Sequence, residues 1–324
     1  MKATWTKIAQ ASALQRSSHT VSSISNKIYV FGGELLPRKP RDNDLHTLEP
    51  DLNTLNPSGS KPSPRVGSAT TTLDGKLFLF SGRGGEHMAP VDEQGGLHQY
   101  DPAQNAWTLL RPSGDSFPQA RSYHSMASDG QDTIFVHAGC PEKGRLSDLW
   151  AYSLASSTWK QLHNAPDPAR GGTSIAFADG KLYRMNGFDG QTEQGGSLDV
   201  YDPVQDSWST INYKADGASG PGPRSVSVLV PVHIEGKTFL VTMFGESDPS
   251  SLGHMGAGKM LNDVWIFSLD EHAWSKIDIN GGSPAPRGWF DADALHLHGR
   301  PAIAVGGGLD ASNERLDDFC VLSF

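Results

Sequence analysis

Six times along the chain an apolar run stops at a two-residue doublet, and that long period constrains the fold more than any other feature of the sequence. The doublets are Gly32-Gly33, Ser81-Gly82, Ala138-Gly139, Asn186-Gly187, Phe244-Gly245 and Gly306-Gly307. Each follows a run such as Lys27-Ile28-Tyr29-Val30-Phe31 or Lys76-Leu77-Phe78-Leu79-Phe80, whose β-branched and aromatic side chains suit a packed strand. A second apolar strand comes next, as in Asp148-Leu149-Trp150-Ala151-Tyr152 and Asp263-Val264-Trp265-Ile266-Phe267. A turn and a third strand marked by an aromatic complete the unit. Self-similarity of this kind means that one supersecondary unit is copied along the chain.

The spacing of the aromatics shows how the copies close up. Tyr100 to Trp107, Tyr152 to Trp159, Tyr201 to Trp208 and Phe267 to Trp274 are all seven residues apart, and Leu48 to Leu55 keeps the spacing without the Trp. The sixth copy reaches Leu322 just before the sequence stops, and counting seven from Leu322, wrapping past Phe324, lands on Trp5. Thr4-Trp5-Thr6-Lys7-Ile8 is therefore expected to supply the outer strand of the last unit. A ring completed from both ends removes the sheet edges that would otherwise invite aggregation. The expected fold class is all-β, a six-bladed β-propeller over residues 1–324 as one domain, its ring closed by the N-terminal strand.

An arginine also precedes the first strand of every copy, at Arg16, Arg65, Arg121, Arg170, Arg224 and Arg287, with a proline shortly before it in five of the six. The Pro-x-Arg lead, the doublet and the distal Trp together resemble the Kelch repeat over the whole chain. That resemblance implies the propeller and leaves function open, because propellers host both enzymes and docking surfaces.

Composition removes some partners. A net charge of −9 argues against a nucleic-acid backbone or an anionic membrane, both of which need a basic face. The opening Met-Lys-Ala-Thr-Trp-Thr-Lys has no apolar core of signal-peptide length, and no stretch approaches the roughly 18 apolar residues that span a bilayer. The expectation is a cytoplasmic protein. Cys140 and Cys320 are the only cysteines, too few for a disulfide framework or a thiolate zinc site, and both are expected to be unpaired, buried small hydrophobes.

In a propeller of this type the loop after the second strand and the loop entering the first open on one end, so chemistry is expected there. From the doublet to the next strand the loop spans 18 residues in the fifth copy and 14 in the second, against 9 to 11 elsewhere. The long one runs from Gly245-Glu246-Ser247-Asp248-Pro249 through Gly253-His254 to Gly258-Lys259. Glu246 and Asp248 are two apart, so extended backbone would point their carboxylates to one side, and Gly253 lets the chain fold back to bring His254 to them. Two carboxylates and an imidazole suit a divalent first-row metal such as Fe(II) or Mn(II). The same residues also read as a solvated polar loop with an Asx-type turn. The loop of the second copy, Arg83-Gly84-Gly85-Glu86-His87-Met88, adds a polar wall whose glycines permit close backbone approach.

A Glu, an Asp and a His eight residues after the Glu, in a long loop of a Kelch propeller, resemble the plant specifier proteins: the nitrile-specifier, epithiospecifier and thiocyanate-forming proteins. The family motif is Glu-x-x-x-Asp-x-x-x-His. Glu246 and His254 keep its outer spacing, while the acid stands at Asp248 where the motif would place Ser250. The resemblance implies Fe(II) on Glu246, Asp248 and His254, no organic cofactor, and Glu246, Arg83 and Trp289 as site residues, Trp289 lining the pocket and Arg83 facing substrate. The six repeated arginines read either as braces bonding loop carbonyls or as a locally positive mouth; in the second reading all six bind an anionic substrate, since guanidinium takes sulfate, phosphate or carboxylate bidentately. Ser122, His124 and Asp148 have no nucleophile elbow around them, and His19 and His124 occupy equivalent positions, as repeat-structural residues do.

Two functional classes follow. In one, the mouth carries out a lyase or rearrangement step on a small, anionic molecule, with a metal-free cyclase or mutarotase as a variant. In the other, the mouth grips a protein segment, as a docking module without its own chemistry; six blades are expected to use all 324 residues, and an attached adaptor domain is not expected, which counts against that role.

Overall fold

The computed structural model describes residues 1–49 and 51–324; Pro50 and the side chain of His254 lie outside the described residues. The chain forms a six-bladed β-propeller whose blades are separate antiparallel sheets of four main strands. Blade one is Ser17–Ile24, Lys27–Leu36, Leu45–Leu48 and Leu52–Leu55. Blades two to five repeat the order, their innermost strands being Ala69–Leu73, Ser125–Ser128, Ser174–Ala178 and Val228–Ile234. Blade six has Asp291–Leu297, Arg300–Gly306 and Asp318–Ser323, and Lys2–Gln10 pairs antiparallel with the last of these as its fourth strand, Trp5 opposite Leu322. No helix among the described residues is long and apolar enough to cross a membrane.

The seven-residue spacing is a direct cross-strand pair in four blades: Tyr100 with Trp107, Tyr152 with Trp159, Tyr201 with Trp208 and Phe267 with Trp274. The tryptophan then packs on the neighbouring blade, Trp107 on Phe31, Trp159 on Phe80 and Trp5 on Phe244, with ring centroids 5.7 Å apart in each case. Blade one departs from the expectation. Its tighter turn pairs Leu48 with Leu52 and Leu45 with Leu55, so Leu48 and Leu55 are not partners.

Both residues of each doublet have positive φ, as in Ser81 (45°) with Gly82 (112°) and Phe244 (54°) with Gly245 (99°). The second must be glycine because a Cβ on Gly245 would lie 2.8 Å from the Ser225 carbonyl oxygen, and this backbone region suits a residue without one. In the sixth blade the structure moves the doublet by one residue, to Gly307 (56°) and Gly308 (99°). Gly306 is strand, and the Phe319 ring fills the space its Cβ would take.

The six arginines are braces, which corrects their reading as substrate-binding groups. Arg16, Arg65, Arg121, Arg170, Arg224 and Arg287 are all buried. Each donates from Nη1 to the carbonyl of the first doublet residue of its own blade, Gly32, Ser81, Ala138, Asn186, Phe244 and Gly307, at 2.7–3.1 Å. Five also grip a carboxylate with both terminal nitrogens: Asp42, Glu93, Asp148, Asp263 and Asp318. Blade four differs, for Asp199 there pairs with Arg184 at 3.1 Å. A guanidinium enclosed this way has no face left for a ligand.

Candidate functional site

The mouth is built from two register positions of the repeat. The first is the residue two after each arginine: Ser18, Gly67, Tyr123, Gly172, Val226 and Trp289, all with φ between 46° and 60°. Their backbones form a cycle. Ser18 N–H donates to the Trp289 carbonyl (2.7 Å), Trp289 to Val226 (3.1 Å), Val226 to Gly172 (2.9 Å), Gly172 to Tyr123 (2.8 Å), Tyr123 to Gly67 (2.7 Å) and Gly67 to Ser18 (2.9 Å). Among the described residues no sheet closes on itself, and main-chain bonding joins blade six to blade one at this level. For β-branched Val226 this backbone region is strained, at a cost of about 1–3 kcal/mol.

The second position is the residue after each doublet: Glu34, Arg83, Cys140, Phe188, Glu246 and Leu309. Each pairs antiparallel with the residue following the blade's arginine, as Arg83 does with Val66 and Glu246 with Ser225. The first set makes a floor and the second a wall. Below the floor lies the central channel, a cavity of about 320 Å³ between the innermost strands. Above it are two cavities. One of about 200 Å³ over blades three to six is bordered by Tyr123, Phe188, Val226, Glu246, Pro249 and Trp289. The other, of about 250 Å³ over blades one to three, is bordered by Glu34, Arg38, Arg83 and Glu142. Tyr123, Cys140 and Arg145 border both.

Arg145 was not singled out in the sequence because its loop position has no counterpart in the repeat. Its Nε donates to the Phe188 carbonyl at 2.9 Å and its guanidinium lies 5.2 Å from the Phe188 ring centroid. Among the described residues no carboxylate forms an ion pair with it. With Arg38 on the other cavity, it is a cation at the mouth with donors to offer, although its charge also lowers the pKa of Asp189.

Glu246 is buried, and the Gly258 N–H donates to its Oε1 at 2.7 Å. Burial raises its pKa, while the Gly258 N–H and the Trp289 indole pull the other way. A Cβ on Gly258 would lie 2.8 Å from Glu246 Oε1 and 2.5 Å from the Asp248 carbonyl oxygen, so glycine lets the loop return over the carboxylate. Asp248 does not share the face of Glu246 as the extended reading expected. The strand ends at Ser247, Asp248 has φ 50° and its side chain is exposed. His254 falls in the turn Gly253–Met255, and its side chain lies outside the described residues. Glu193, from the neighbouring blade, has a buried Oε1 without a hydrogen-bond partner among the described residues. Its pKa is raised to about 7, first by burial and then by the charges of Glu246 and Asp248.

Trp289 borders the cavity of about 200 Å³, edge-on to Tyr123 with centroids 5.3 Å apart. Arg83 lies in the wall of the other cavity and braces it, donating to Ser122 Oγ (2.8 Å), the Met88 carbonyl (3.0 Å) and the Pro141 carbonyl (2.6 Å). The structure thus separates Arg83 from Glu246 and Trp289. Ser122 and Asp148 are taken by Arg83 and Arg121. His19 and His124 are buried, which lowers both pKa values to about 3. Cys320 is buried, but Cys140 is half-buried wall. Asp42, Asp44 and His46 bring ligand atoms within 4.8 Å of one another. Arg16 already bonds Asp42 and His46, which accounts for them as structure.

The KLHDC2/KLHL20/DRC7 Kelch-repeats domain matches residues 18–245. The N-(sulfonatooxy)prop-2-enimidothioate sulfolyase of Thlaspi arvense is 27% identical over 97% of this chain and 95% of its own length. Acyl-CoA-binding domain-containing protein 4 of Arabidopsis thaliana is 30% identical over 67% of the chain, and host cell factor 1 of Homo sapiens 28% over 77%. The chain spans 31% and 12% of those two proteins.

Proposed function

The chain belongs to the Kelch-repeat family, and from that premise we propose that its mouth binds a small organic anion and carries out specifier-like lyase chemistry on it. The observation that carries this reading is Arg145, a cation without a carboxylate partner among the described residues, at the edge of an apolar recess that also holds Glu246 and Trp289. Guanidinium at such an edge would hold a sulfate-like group and stabilise the charge that develops as the bond to it breaks. The Thlaspi arvense relative, similar along nearly its whole length, is named for a sulfonatooxy compound, and a ligand of that class has the anion and the apolar tail that the recess accommodates.

Among the described residues Glu193, Glu246 and Asp248 do not gather their ligand atoms within 4.8 Å of one another, so a divalent cation on the carboxylate side of the recess would require the exposed Asp248 carboxylate to turn toward Glu246. Glu246 is cradled by Gly258, and the charges of Glu246 and Asp248 fall on the partnerless Oε1 of Glu193, where a cation would relieve repulsion. Glu246, Asp248 and His254 would hold Fe(II), which when bound supplies a Lewis acid or a partner for sulfur. Glu246 and Trp289 border the ligand, and Arg145 orients it.

A second reading, a protein-docking mouth, draws on the exposed apolar side chains Leu36, Leu252 and Met255 on the loops around it and on the host cell factor relatives. Incubating the protein anaerobically with N-(sulfonatooxy)prop-2-enimidothioate, with and without Fe(II), separates the two. Sulfate release and the product mixture should depend on the protein and change in Glu246→Gln and Arg145→Gln. A mixture identical to the protein-free control sinks the lyase reading and leaves the docking mouth, or a metal-free cyclase acting on another substrate.

A further inference from the structure

The floor is uneven. Tyr123, Val226 and Trp289 carry large side chains, whereas Gly172, between Tyr123 and Val226 in the hydrogen-bonded cycle, carries none. A Cβ there would come within 3.0 Å of Val226 Cγ1, so the position admits no larger residue without displacing its neighbour. Directly above stands Phe188, held by the Gly171 bridge at its base and by Arg145 against its face. Gly172, Tyr123, Val226 and Phe188 therefore border a slot with apolar sides, which Arg145 and Pro249 also line.

We propose that Phe188 is the specificity-determining residue of this mouth, setting how long an uncharged substituent can be on a ligand whose anionic group is held at Arg145. The inference rests on the anion-binding reading above. A ligand anchored by its anion at the edge has only the slot in which to bury its tail. Each buried methylene is worth about 0.8 kcal/mol, or roughly fourfold in affinity, until the slot is full. Shortening the Phe188 side chain extends the slot, and enlarging it cuts the slot short.

The test is calorimetry on the full chain with methyl, propyl, pentyl and heptyl sulfate. Wild type should tighten by about threefold to fourfold per methylene and then level off. In Phe188→Ala the levelling moves to longer chains and in Phe188→Trp to shorter ones, while methyl sulfate binds all three within about twofold, a spread smaller than the fourfold worth of one methylene. Arg145→Gln should weaken every member alike, by about tenfold or more, as loss of a charge-assisted contact does. Phe188→Trp keeps an aromatic under Arg145, so it reports on the slot even if the alanine variant unseats the guanidinium. Binding that depends on Arg145 but has one chain-length profile in all three Phe188 forms overturns the slot and spares the anion site. Failure of every sulfate to bind wild type overturns both.

Discussion

Replacing Arg287 and Arg170 separately with methionine tests whether the repeated arginines are braces. Arg287 donates to the carbonyls of Ala285 and Gly307 and grips Asp318 at 2.9 and 3.0 Å. Arg170 makes the same two kinds of carbonyl bond, to Pro168 and Asn186, and no carboxylate bond. The lost carbonyl bonds are common to both variants, so the difference between them isolates one stranded carboxylate. Breaking a buried pair from one side costs about 3–5 kcal/mol. Asp318 retains 16% side-chain exposure, which puts the expected difference near the low end, about 3 kcal/mol. Arg170→Met has a further offset, because the Arg170 charge helps to depress the pKa of Arg184, and its removal relieves that repulsion. Urea midpoints compared at a common slope measure the difference. It should shrink in acid, as a stranded Asp318 takes up a proton. Equal losses in the two variants, or an Arg287→Met protein as stable as wild type, would refute the brace assignment.

Two further outcomes follow from the seam between the last and first blades. Asp291 and Asp293 accept the Val21 and Ser23 N–H groups there, both at 2.7 Å, and burial raises their pKa values to about 7 and about 6. The folded protein then holds protons that the unfolded chain releases near pH 4, so this pair's contribution to stability declines as pH rises from about 4 to 7. The neutral buried histidines act in the opposite sense, so the quantity to follow is the thermal midpoint of the Asp291→Asn, Asp293→Asn double variant minus that of wild type. That difference should grow from pH 5 to pH 8, and a constant difference contradicts the assignment. Deleting residues 1–10 removes the strand opposite Asp318–Ser323 and the Trp5 ring stacked on Phe244; a lower midpoint and association through the bared edge are expected, and an unchanged, monomeric protein would count against the role of this strand.

The scaffold was largely legible because its signals repeat. The aromatic spacing located Trp5 opposite Leu322 across the ends of the chain, and only blade one, with its shorter turn, slipped from it. The sixth doublet was misplaced by one because three glycines stand in a row and only the bulk of Phe319 distinguishes the first. The arginines were recognised but their acids were not, since the intervening loops put the partner 26 residues away in blade one and 39 in blade five. Site residues fared by whether the repeat indexes them. Trp289, Glu246 and Arg83 occupy repeat positions that the sequence indexes, although Arg83 borders a different cavity. Arg145 and Glu193 belong to irregular loops, where only three-dimensional proximity reveals them. Asp248 was misjudged because nothing in Ser247-Asp248-Pro249 announces that extended backbone ends one residue before the proline.

The cycle at the floor of the mouth is made of amide and carbonyl groups alone, and that separates architecture from chemistry. Where the neighbours leave room, as they do not at Gly172, a residue able to hold the left-handed conformation can take a place in it without breaking a bond, as serine, tyrosine, valine and tryptophan already do here. The wall repeats the arrangement with a second set of main-chain pairings. At the ten of these twelve positions that carry a side chain, exchange can therefore leave the backbone shell untouched, and a lineage of such propellers can acquire a new ligand one substitution at a time without first relearning how to fold.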